Sequence, residues 1–198
     1  MNIRQTLESR LSPDPQLQLN DVDVDPASIR AVLINEVVPA DPAQDFYGSS
    51  GEDYLSTTIP LFQQAGLPVS SIREILDLGV YITNAAKRPK TGYAVEKETI
   101  DASLPWLEAE LALFPNVQLI MLMGDVAKKM VNMIVKKATK KNVIPSGSTY
   151  KIRGEQYHWG DIRVMPSYII TGGNLLIEKS KVRMITEDIA AMAEIIRK

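Results

Sequence analysis

Four short apolar runs constrain the fold most: "AVLIN" from Ala31, "VYIT" from Val80, "VQLIMLMG" from Val117 and "IRVMPS" from Ile162. They are near-continuous rather than alternating, which suits parallel strands covered on both faces. Segments of helical character lie between them. "YLSTTIPLFQQAG" ends at Gly66, a helix stop, and "SSIREILDL" sets Glu74 three residues after Ser71, a capping spacing. "EKETIDASLPWLEAELALF" contains Pro105, which predicts a split or a second helix start. "GDVAKKMVNMIVKKA" alternates apolar and lysine faces. Val182, Ile185, Ile189, Met192 and Ile196 recur at helical spacing in the last segment. Strands alternating with helices predict an α/β fold, a three-layer α/β/α sandwich around a mainly parallel sheet of about four strands. The stretch between Lys136 and Asp161, rich in Gly, Ser and aromatic residues, predicts a loop or small hairpin before the last strand.

Residues 1–29 read as a polar N-terminal extension, with "SPDPQ" and "DVDVDPAS" turn-rich and acidic. Asp25 or Ser28 is placed to cap a short helix there. The domain proper is expected over residues 30–198. The first residues have no apolar core of a signal segment, and no apolar run approaches spanning length. A cytoplasmic protein without a membrane partner is the expectation, with a monomer as the default.

Chemistry is narrowed by what is missing. Cysteine is absent, which excludes disulfides, thiolate nucleophiles and Cys-ligated iron–sulfur or zinc sites. His158 is the only histidine, and "DPAQD" offers two Asp without further spaced ligands. No metal site and no cofactor are expected. Net charge is −2, but its distribution is uneven. Residues 1–60 carry ten acids and three bases, while residues 126–158 carry eight bases and one acid. Such a basic stretch is either a solvated face or a surface for a phosphate backbone.

Three segments begin where predicted strands end: "VLINEVVPADPAQDFYG", "YITNAAKRP" and "RVMPSYIITGGN". Open α/β sheets bind ligands at the carboxyl ends of their strands. Glu36, Asn84 and the loop Tyr168–Asn174 are therefore expected to converge on one pocket.

These segments resemble motifs of the uracil-DNA glycosylase superfamily, most closely its branch that normally carries an iron–sulfur cluster. "INEVVPADPAQDFYGSSG" looks like the first motif, with Glu36 on its Glu and Phe46 on its Phe. "VYITNAAKRP" looks like the strand that carries Asn, here Asn84. "LIMLMGDVAKKM" resembles the strand-Gly-x-x-Ala-helix element, and "KIRGEQYHWGDIRVMPSYIITGGNLL" the final motif. The likeness runs from about Ala31 to the C-terminus. The chain departs from the pattern at several points. The cluster cysteines are absent, and Asn35 replaces the glycine before the Glu. Val38–Asp45 contains an insert that either opens over the pocket or fills it. Ile169 stands where the family has its catalytic His.

The resemblance implies a DNA glycosylase that hydrolyses the N-glycosidic bond of uracil or another altered base, as in base excision repair. Glu36 would then be the catalytic carboxylate, orienting water or stabilising the sugar cation. Asn84 would read the base edge through an amide that both donates and accepts, and Phe46 would stack on the base. Tyr168, Thr171 and Asn174 would supply donors for the departing base in place of the missing His. Lys87, Arg88, Lys90, Ser167, Lys179 and Lys181 would contact DNA phosphates. Two alternatives stay open: a nucleic-acid or base-binding module of the same fold with impaired catalysis, and a hydrolase of free nucleosides or nucleotides. Salt-dependent DNA binding would separate the last from the others.

Overall fold

The computed structural model describes residues 1–198. Its centre is a five-stranded sheet: β1 (Ala31–Val37), β2 (Val80–Ala86), β3 (Leu119–Met123), β4 (Tyr157–Trp159) and β5 (Ile162–Ser167). The strand order is β2-β1-β3-β5-β4. β2, β1, β3 and β5 are mutually parallel, and the short β4 pairs antiparallel with β5 through Tyr157↔Val164 and Trp159↔Ile162. The four apolar runs are thus the four parallel strands. The fifth is the small hairpin partner expected ahead of the last strand, and it carries exposed His158.

Alternate strand residues point to opposite faces, and each face has its own core. Val32, Ile34, Tyr81, Ile120 and Leu122 pack with α1 (Ile3–Arg10), α4 (Lys97–Leu111) and α5 (Asp125–Thr139). Leu33, Ile82, Met121, Met123 and Met165 pack with α2 (Glu52–Gln64), α3 (Ile72–Asp77) and α7 (Lys179–Arg197). A one-turn helix, α6 (Thr149–Ile152), precedes β4. Ser71 caps α3 by accepting from Glu74 N–H, as its spacing predicts.

Two expectations need correction. Pro105 neither splits nor starts a helix, because α4 runs through it. Pro105 is on the exposed side of that helix, and Asp101, whose carbonyl loses its partner, is exposed as well. Water can satisfy the freed carbonyl there. The polar lead-in also carries a hidden apolar stripe. Ile3 and Leu7 are wholly buried, and Leu17, Val24 and Ile29 join the same core. Asp25 does cap a short 3-10 turn at Pro26–Ser28.

Candidate active site at the carboxyl edge of the sheet

Glu36, Asn84, Gly124 and Tyr168 all sit at or just past the carboxyl ends of β1, β2, β3 and β5. A cleft of about 1470 Å³ opens at this edge. Its walls come from the β2–α4 loop, the amino ends of α5 and α6, and the loop after β5. Glu36, Tyr168, Thr171 and Asn174 line it, together with Ile169, Lys90, Asp125 and Lys181.

Glu36 is half-buried, and burial raises its pKa above the ordinary carboxylate value. Lys90 and Lys128 oppose that shift, and Asp125 adds to it. Close approach to β3 is possible because residue 124 is glycine. A Cβ there would fall 2.8 Å from Glu36 Oε2 and 2.6 Å from Ile169 Cγ1. Gly124 also has φ +112°, a backbone region that favours glycine.

Asn84 and Phe46 do not line this cleft. Asn84 is 1 % exposed and its amide is engaged at both ends. Its Nδ2 donates to Asp45 Oδ1 at 2.9 Å, and its Oδ1 accepts from Asn35 Nδ2 at 3.1 Å. Asn35 faces Asn84 across the β1–β2 register, donates to Thr171 Oγ1 at 3.2 Å and accepts from Ile170 N–H at 3.3 Å. The residue that replaces the family glycine therefore ties Asn84 to the loop after β5. Burial raises the pKa of Asp45, while the Phe46 N–H and the Asn84 amide stabilise its carboxylate. Phe46 is fully buried and packs its ring 5.2 Å from that of Tyr54. None of residues 38–45 lines the cleft. The insert leaves the cleft open at Glu36 but spends its last residue on Asn84.

The expected phosphate contacts divide sharply. Lys87 is buried, and its ammonium meets Glu110 Oε1 at 2.6 Å and Thr83 Oγ1 at 2.9 Å. Tyr81 donates to the same carboxylate at 2.6 Å, so Lys87 belongs to an interior network and cannot reach a phosphate. Ser167 is fully buried and donates to Asp188 Oδ2 at 2.7 Å, beside the Arg153 guanidinium that also meets Asp188. It too is structural. Arg88 pairs with Asp14 at 3.3 Å and is half-buried. Lys90, Lys179 and Lys181 are exposed, with Lys181 5.9 Å from the Tyr168 ring centre and paired with Glu178.

The basic stretch is split as well. Lys129 lines the cleft at the amino end of α5, whereas Lys136, Lys137, Lys140 and Lys141 lie at its other end. Fifteen helical residues span roughly 22 Å at ~1.5 Å each. Lys128 is buried against Thr149 and Asp125. Sequence reasoning missed Asp125, Tyr93 and Tyr150, all lining the cleft. Asp125 directly follows Gly124 in the strand-to-helix turn, which was the available signal. An isolated tyrosine in a loop gives none.

No group of three or more His, Cys, Asp or Glu side chains is arranged to hold a metal ion. No helix is long and apolar enough to cross a membrane.

Sheet order and helices on both faces define an open α/β/α protein with a cleft at the carboxyl edge of its sheet. The family model for the uracil DNA glycosylase superfamily matches residues 28–172, and the chain belongs to that superfamily. Comparison with curated proteins gives no match.

Proposed function

We propose that this protein is a DNA glycosylase-type hydrolase that releases uracil or another altered base from DNA, in the manner of base excision repair. The observation that carries the reading is Glu36, a half-buried carboxylate lining an open cleft at the strand ends of a superfamily fold.

The reaction breaks the bond between C1′ and the base nitrogen and forms a bond from C1′ to a water oxygen. The water oxygen keeps one proton as the C1′ hydroxyl of the sugar, and its other proton passes through the carboxylate or solvent and ends on the departing base. Positive charge builds on the sugar as in glycoside hydrolysis. Glu36 in its ionised form stabilises that charge and orients the water. Lys90 is the cation with the largest effect on Glu36 and lines the same cleft. Tyr168, Thr171 and Asn174 wall the same space. Asn84 and Phe46 act one layer behind it: Asn84 fixes Asn35, which holds Thr171 and the Ile170 N–H. Exposed Lys90 and Lys179 remain the candidates for phosphate contact.

A second reading, a binding module with impaired catalysis, is favoured by Ile169, which brings a methyl-bearing side chain to the cleft beside Glu36 and offers no donor. Base release from single- and double-stranded oligonucleotides carrying uracil, hypoxanthine or xanthine separates the two, with Glu36→Gln in parallel. Release lost in Glu36→Gln supports hydrolysis. Salt-sensitive binding without release supports the module.

A further inference from the structure

Large apolar side chains are normally withdrawn from water, so those left outside are informative when they cluster. Seven are exposed: Met1, Leu78, Tyr93, Tyr150, Ile169, Leu176 and Ile177. Tyr93, Tyr150 and Ile169 line the cleft of Glu36, and Leu176 and Ile177 directly follow its lining residue Leu175. Tyr93 is 99 % exposed and Tyr150 72 %, so neither ring is used by the fold. They project from different walls, Tyr93 from the loop between β2 and α4 and Tyr150 from α6. Exposed Lys90 and Lys129 line the same cleft, and no ion pair engages either ammonium. Asp125 is paired with Lys128 and Glu178 with Lys181, which leaves these two lysines to set the sign of the mouth against Glu36.

Free aromatic faces beside unpaired cations are the elements of a single-stranded nucleic-acid groove, in which bases stack on rings and lysines follow the phosphates. A duplex presents phosphates and base edges to a protein surface and keeps its base faces stacked. We propose that Tyr93 and Tyr150 are stacking platforms for the unpaired bases flanking the nucleotide at Glu36, and that the cleft prefers single-stranded DNA. This rests on the reading of the cleft as a DNA site and assigns its strand preference and two of its binding residues.

The test uses the full chain and oligonucleotides of ordinary bases, so that binding is read without base release. Affinities of Tyr93→Ala, Tyr150→Ala and the two Tyr→Phe variants are measured for a single-stranded oligonucleotide, its duplex, and a version with abasic residues flanking the central nucleotide. Each Ala variant should weaken single-strand binding roughly 5- to 150-fold, the range for one lost base stack. The Phe variants should bind like the parent, since stacking needs the ring and not the hydroxyl. The Ala variants should lose little further affinity on the abasic strand. Unchanged single-strand affinity in both Ala variants would overturn the proposal, as would an equal loss on duplex. Glu36-dependent base release with no effect of either tyrosine would sink this inference and leave the glycosylase reading standing. Neither binding nor release would remove both.

Discussion

Glu36 and Ile169 meet over the same glycine: the missing side chain of Gly124 would have to occupy space 2.8 Å from the carboxylate oxygen and 2.6 Å from the isoleucine Cγ1. The side chain at position 169 is therefore a close neighbour of the proposed catalytic group. Replacing it with a donor should matter more than any change elsewhere on the rim. Ile169→His is expected to raise the rate of base release by about 100-fold, the lower end for adding one donor to a developing anion. Single-turnover release from a uracil oligonucleotide reads this directly. Gly124→Ala should do the reverse, displacing Glu36 and destabilising the fold by about 1–3 kcal/mol through overpacking.

Charge around Glu36 gives a pH prediction. Burial, and to a smaller extent Asp125, raises its pKa, while Lys90 and Lys128 restrain the rise. If the carboxylate is the working form, base release increases with pH through a midpoint above 4.5. Lys90→Gln should move that midpoint up, and Asp125→Asn should move it down. A pH–rate profile in which both variants keep the parent midpoint would remove Glu36 from the catalytic role.

Lys87 and Glu110 predict a stability effect without a binding effect. Their contact is 2.6 Å and both side chains are almost wholly buried. Lys87→Met leaves the carboxylate uncompensated and should cost about 3–5 kcal/mol in urea unfolding. Adding Glu110→Gln should recover part of the loss, because the amide oxygen still accepts from Tyr81 and Thr83. If that double variant is folded, the salt slope of DNA binding should match the parent, since Lys87 touches no phosphate.

Asp45 links stability to pH. Its folded pKa is raised by burial above the ordinary 3.8, so the native state holds the proton more tightly than the unfolded chain. The resulting stabilisation is complete below about 3.8 and is lost as pH rises through the folded pKa. Asp45→Asn lacks this dependence while keeping an oxygen for Asn84 and the Phe46 N–H. The parent's urea midpoint should therefore exceed the variant's by more at pH 4 than at pH 7. A constant difference across that range would show that Asp45 titrates normally.

The parallel sheet was legible because a strand covered on both faces leaves an apolar run that needs no partner to be recognised, as in Leu119–Met123. Glu36 was legible through its position after such a run. Lys87 was not, because its neutralising partner lies 23 residues away on α4, and local sequence reads a lysine before Arg-Pro as exposed. Ser167 was hidden for the same reason: Asp188, which accepts its hydrogen bond, comes from the last helix. Asn84 was assigned to the right strand end and one layer too far forward. The amide of Asn35 opposite it could not be anticipated from either residue alone.

The buried N-terminal stripe has a practical consequence for anyone shortening this chain. The family model begins at residue 28. Asn20 donates to the Tyr81 hydroxyl at 2.7 Å, Gln18 N–H donates to the Lys87 carbonyl at 2.7 Å, and Asp14 holds Arg88. The first grip holds the side chain of Tyr81 near the start of β2, and the other two fall on Lys87 and Arg88, at the start of the loop that carries Lys90 and Tyr93. A version cut at the family boundary would lose Ile3 and Leu7 from the core and the contacts at the base of one cleft wall. Its failure to bind or cleave would then report a missing brace rather than a missing active site.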